Sequence, residues 1–227
     1  MSSDELRIIA LSLQVAVASV AFSLPVAVLV AYVLARGRFP GRAVLDAVVH
    51  LPLVLPPVVV GFSLLLLFGR QGVFGKVLAD WFGIVFAFRW TGAALASAVM
   101  GFPLMVRAVR LSIDGIDSRL ETAACTLGAP AWWIFVTITL PLAAPGIVTA
   151  IVLGFARSLG EFGATITFVS NIRDETETLP LAIYTLLQTP QGDAMAWRLS
   201  GFSVALSLLA LLVSEWLARR ARLRTAA

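Results

Sequence analysis

The sequence predicts an all-α integral membrane protein with five transmembrane helices. Three observations carry that prediction. Of 227 residues, 59% are hydrophobic and 13% charged, with a mean hydropathy of +0.95, far too apolar for a soluble domain of this size. Five runs can each span a bilayer, which takes about 20 mostly apolar residues. The basic residues between those runs alternate in density, as they do when cytoplasmic loops keep the positive charge.

The first run, 8–35, holds no charge and follows Asp4, Glu5 and Arg7. A cleaved signal peptide has a basic start and a shorter apolar core, so this run is read as a retained helix. The second run, 47–68, contains Pro52, Pro56, Pro57 and Gly61. Prolines in a span are tolerated where neighbouring helices or a water-filled cavity satisfy the freed backbone groups, so a kinked helix and a flexible, pore-facing segment both fit. The segment 74–88 is apolar but broken by Gly75, Lys76, Asp80 and Gly83, which suits a re-entrant or interfacial piece. The third run is 90–106. The fourth, 145–169, is interrupted by Arg157 and Glu161. Ionisable residues at such depth face a protein interior or cavity, and a spacing of four places both on one helix face. A self-neutralising structural pair and a gate element both fit, with Gly160 and Gly163 serving packing or bending. Phe162 suits either a hydrophobic plug or a lipid-facing position. The fifth run is 199–217. The arginines that follow within 219–224 suit a stop-transfer flank or a lipid-binding patch. With no repeat and no low-complexity linker, the chain reads as one membrane domain, 1–227.

Orientation follows from the arginines. With the start of the chain outside, the inner loops carry Arg36, Arg38, Arg42, Arg107, Arg110, Arg119, Arg219, Arg220, Arg222 and Arg224. The outer loops carry Arg7, Arg70, Lys76, Arg89, Arg173 and Arg198, with Asp174, Glu175 and Glu177 beside Arg173. The richer set marks the cytoplasm, so the segment 117–141 and the end of the chain are expected inside.

That inner segment is the most informative. Ser118 and Glu121 have the S-x-x-E spacing of a capping box. Leu120, Ala123, Ala124 and Leu127 favour a helix, Gly128 suits a left-handed C-terminal position, and Pro130 forbids continuation. The spacing predicts a short helix over 119–127 with a low-profile face at Ala123, Ala124 and Gly128. Trp132, Trp133, Ile134, Phe135 and Ile138 follow, ending at Leu140 and Pro141. Taken alone, these features also suit an interfacial helix with Trp132 and Trp133 as headgroup anchors.

The order Ala123-Ala124, Gly128, then Ile138-x-Leu140-Pro141 resembles the E-A-A loop of permease subunits in bacterial ATP-binding cassette importers. That resemblance implies the type I importer permease architecture, with a coupling helix that docks on a cytoplasmic ATPase. The implied coupling residues are Glu121, Thr122, Ala123, Ala124, Gly128, Ile138, Leu140 and Pro141. The family's acid stands immediately before the two alanines, where this chain has Thr122. Glu121 therefore fits a helix cap and an ATPase contact equally. The stretch from Leu51 to Gly61, and Arg157-S-L-G-E-F-G-A with the F-V-S-N ending at Asn171, resemble permeases of the sulfate/molybdate group. The F-V-S-N and Y-T-L-L-Q-T-P stretches favour the molybdate branch. The resemblance implies a homodimer in the bacterial inner membrane, two ATPase chains and an external oxyanion-binding protein. The implied cargo is molybdate, with sulfate or tungstate as alternatives. Pro56, Pro57, Arg157, Gly160, Glu161, Phe162 and Gly163 are the residues expected at the pathway or gate. Glu161 bare in the pore would repel an oxyanion, so its charge is expected to be paired.

Other function classes fit less well. Gly69-R-Q-G-V-F-G-K-V has the wrong glycine spacing for a nucleotide loop and Val77 after Lys76. An ATPase-independent carrier would show coupling-ion ligands or repeated halves, and Glu161 is the lone acidic candidate. One cysteine, Cys125, and one histidine, His50, argue against a disulfide, a metal centre or a membrane enzyme. No cofactor and no nucleic-acid partner are expected; membrane lipid is.

Overall fold

The computed structural model describes residues 3–190 and 192–225, with side chains throughout except at 211 and 214–225. The described residues form helices and connecting turns, with no strand among them. In chain order the helices are α1 (Ser3–Arg36), α2 (Arg42–Val54), α3 (Pro57–Phe68), α4 (Val73–Phe82), α5 (Trp90–Asp114) and α6 (Ser118–Thr126). Then come α7 (Ala131–Ile134), a π turn (Phe135–Thr139), α8 (Leu140–Leu142), α9 (Ala144–Leu159), α10 (Gly163–Val169), α11 (Leu179–Leu187) and α12 (Asp193–Thr225).

Helices α1 and α5 are each long and apolar enough to cross a membrane. The second expected span is not one rod: α2 and α3 meet at 114°. Pro57 lacks an N–H, and its ring excludes helical backbone in the residue before it. Leu55 and Pro56 are extended accordingly, with ψ of 144° and 134°, and Pro57 starts α3. The fourth span is also broken, since α9 ends at Leu159 and α10 begins at Gly163. A second bend, of 70°, separates Ala131–Leu142 from α9. The third span runs on past Val106, because Arg107, Arg110 and Asp114 extend α5 beyond its apolar part. The region 74–88 contains α4, which packs against α3 and buries only Gly75. The run 199–217 lies within α12; the arginines of 219–224 fall outside the residues whose side chains are described.

Helix α5 is central, lying between α1 and α9. Three clusters of buried apolar side chains run along α1. Ile8 packs with Leu179 and Leu199, Val15 with Val60, Leu64, Ala93 and Phe168, and Leu34 with Met105, Val109 and Ile113. At the start of α1, Asp4 pairs with Arg173 (2.5 Å), Arg7 with Asp174 (3.3 Å) and Glu5 with Arg198 (2.9 Å). These bonds fasten α1 to the 170–178 turn and to the first turns of α12.

Candidate functional site

Helix α6 packs against α7 and the π turn and buries none of its residues. Its ends are defined by local chemistry. Asp117, not Ser118, caps the start, its carboxylate accepting from the Arg119 amide at 2.9 Å. Asp and Ser are comparable caps, and using Asp117 frees Glu121 from the expected capping box. At the other end Gly128 takes φ +84°. The Ala129 amide donates to Ala124 O (3.1 Å) and the Gly128 amide to Cys125 O (3.0 Å), the paired bonds of a Schellman ending.

The eight residues expected to couple do not form one surface. Thr122, Ala123 and Gly128 are exposed and Ala124 is half-buried, beside exposed Leu120, Cys125 and Leu127. Ile138 and Leu140 are half-buried, and Leu140 packs into the cluster of Leu34 and Ile113. Pro141 lies exposed within α8. Having no N–H, Pro141 cannot continue a regular i→i−4 ladder; just ahead of it the helix widens into the π turn, with the Leu140 amide bonded to Phe135 O. Tyr32 of α1 meets Phe135 edge-on at 4.7 Å between ring centres.

Glu121 turns inward. Its Oε2 lies 2.8 Å from Arg36 Nε, and its Oε1 accepts from Thr139 Oγ1 at 2.8 Å. Arg36 also donates to Ile113 O (3.1 Å) and Ile116 O (3.3 Å). Sequence reading missed Arg36, Asp117 and Thr139. Only Asp117 left a local signal, as a good capping residue ahead of Ser118.

A second feature lies where the two broken helices cross. A Cβ on Gly61 would come within 2.4 Å of Ala164 O, and one on Gly163 within 2.7 Å of Pro57 Cβ. Approach this close, to backbone at Gly61 and to the Pro57 ring at Gly163, is why glycine occupies both positions. Pro57 and Gly163 therefore meet, although Pro56 and Pro57 are both exposed. Glu161 is 2% exposed. Its Oε2 pairs with Arg157 Nη1 at 2.6 Å, and its Oε1 accepts from the Ala164 amide at 2.8 Å, at the first turn of α10. The carboxylate thus bridges α9 and α10 across their break. Phe162 is half-buried against Tyr184, 5.0 Å between ring centres. Gly160 closes α9 in open space, its nearest contact for an added Cβ being Ala156 O at 3.9 Å.

Residues 13–223 match the family described as binding-protein-dependent transport system inner membrane component. The chain belongs to that family. It is 59% identical over 224 residues to the molybdenum transport system permease protein ModB of Escherichia coli strain K12, covering 99% of this chain and 98% of that one. It is 58% identical over 216 residues to the protein of the same name from Haemophilus influenzae, covering 95% and 94%. The sulfate transport system permease protein CysT of Escherichia coli is 42% identical over 171 residues, covering 74% of this chain and 61% of that relative. Among solved structures, a bacterial transporter that imports the polysaccharide alginate superposes with a TM-score of 0.76 at 23% identity, covering 97% of this chain and 80% of the other. The inward-facing MetNI methionine transporter gives 0.70 at 18%, covering 97% and 99%. These two likenesses establish a shared fold.

Proposed function

We propose that the chain is the membrane-spanning permease subunit of an ATP-driven importer that carries molybdate across the bacterial inner membrane. The observation that carries this reading is the 59% identity to a molybdenum permease along nearly the full length of both chains. The sulfate relative matches less closely and over less of its length. The working unit is a homodimer with two separate ATPase chains and an external oxyanion-binding protein. One domain of five crossings contains α1, the bent pair α2–α3, α5, the broken α9–α10 and α12. The start of α1 faces outside, and α6 and the end of the chain face the cytoplasm, in accord with the arginine distribution.

The exposed face of α6 docks on the ATPase through Thr122, Ala123, Ala124 and Gly128. Ile138, Leu140 and Pro141 lie behind it and pass movement into α9. The breaks at Pro56–Pro57 and at Gly160–Gly163 flank the pathway, with Arg157, Glu161 and Phe162 beside it. The Arg157 guanidinium neutralises Glu161, so the carboxylate does not repel a passing dianion.

The test is reconstitution in vesicles with the ATPase and the cognate binding protein. Molybdate is expected to stimulate ATP hydrolysis and to accumulate inside. Stimulation by sulfate and not molybdate would overturn the cargo, and uptake without the ATPase would overturn the importer.

A further inference from the structure

Glu121 stands on a helix with no buried residue, yet its own side chain is 16% exposed. Both of its oxygens are engaged: Oε2 by Arg36, the last residue of α1, and Oε1 by Thr139, which is fully buried in the π turn. Arg36 in turn bonds Ile113 O, near the end of α5, and Ile116 O, just beyond it. One carboxylate–guanidinium pair therefore gathers α1, α5, α6 and the π turn at a single point.

We propose that this pair is the latch through which α6 moves the bundle. Glu121 is a positioning residue acting through Arg36, and not an ATPase contact. The inference rests on the importer reading above. Its mechanical logic follows from the joints of α6. The helix is flanked by Gly115 on one side and by Gly128, at φ +84°, on the other. A push on a helix without a buried face turns it about such joints unless something holds it. The two charges stand 2.8 Å apart, and an ion pair in which both side chains are less than a quarter exposed is only weakly screened by salt. Helix capping does not account for Glu121, because Asp117 does that work. Docking does not account for it either, because both oxygens point into the node.

The experiment uses the complete importer in vesicles and reads molybdate taken up per ATP hydrolysed. Glu121→Gln and Arg36→Ala should each lower that ratio about fivefold or more, within the usual range of coupling between sites. In both variants the ATPase should still co-purify at the parental stoichiometry. The double variant should be no worse than either single one. Loss of the ATPase from Glu121→Gln, with an unchanged ratio in what remains, would place Glu121 on the docking surface and overturn the latch. Additive losses, or an unchanged ratio in both single variants, would overturn it too. Should the charge variants fail to insert, Thr139→Val keeps the ion pair but frees Oε1, and must lower the ratio by itself; an unchanged ratio there ends the proposal. Coupled uptake by the unmodified complex with indistinguishable variants sinks the latch alone, whereas no coupled uptake by the unmodified complex sinks the importer reading as well.

Discussion

Gly128 shows how one residue fixes the end of α6. An L-residue side chain at φ +84° costs roughly 1–2 kcal/mol, and a bulky one would also fill the low face beside Ala123 and Ala124. Gly128→Leu is expected to insert normally but to lose ATPase co-purification and uptake; normal uptake would contradict the docking role. At Arg157 and Glu161 the expected pattern is non-additive. Removing one partner of a buried ion pair costs about 3–5 kcal/mol, because the other charge is left uncompensated. Glu161, at 2% exposure, is the residue stranded by Arg157→Ala. The double alanine variant should unfold at a higher temperature in detergent than Arg157→Ala alone; simple additivity would count against pairing. Glu177, in the turn before α11, has its carboxyl pKa raised above the ordinary value. Burial is the main cause, opposed by Arg173 and reinforced by Asp174 and Asp4. The folded chain thus holds this proton to higher pH than the unfolded chain does, and stability falls as pH rises from the ordinary carboxylate value to the raised one. Glu177→Gln should be the more stable protein at neutral pH, with the difference vanishing below the ordinary carboxylate range in a thermal unfolding series.

At the level of elements, the crossing of α3 and α10 is the most sensitive junction. Gly61→Ala drives a methyl into Ala164 O, a backbone atom that cannot step aside, and overpacking of this kind costs about 1–3 kcal/mol. Gly160→Ala is the matched control, since its added carbon meets open space; it should change stability by less than about 0.5 kcal/mol. Equal effects of the two in detergent melting would show that the crossing is slack. These elements also mark what the sequence could reveal. The Gly128 stop was legible because a left-handed glycine followed by Pro130 is a local signal. The break before Pro57 was legible as a disturbance, though its 114° angle depends on what α3 packs against. The split between α9 and α10 was hidden: Arg157 and Glu161 pair four residues apart as they would on a continuous helix, while Glu161 also bridges the gap to Ala164. The S-x-x-E spacing misled, because Asp117 competes for the same cap and Arg36, distant in sequence, claims Glu121. No periodicity announces a contact of that range.

For the whole molecule, hydropathy was enough to give an all-helical membrane protein, since it responds to the bilayer and not to neighbouring helices. The number of crossings was less accessible, because bent pairs divide apolar runs in ways that only packing decides. The two ends of α1 illustrate the larger design. Ion pairs through Asp4, Glu5 and Arg7 hold its start, Arg36 holds its finish, and apolar clusters line its length. The chain also possesses one sulfhydryl in its entire length, and Cys125 carries it in the open on α6. Nature has in effect supplied a reporter: a maleimide fluorophore would tag α6 without any engineered background. Its reaction should slow when the ATPase is seated, and a water-soluble reagent sealed out of right-side-out spheroplasts should leave the thiol untouched.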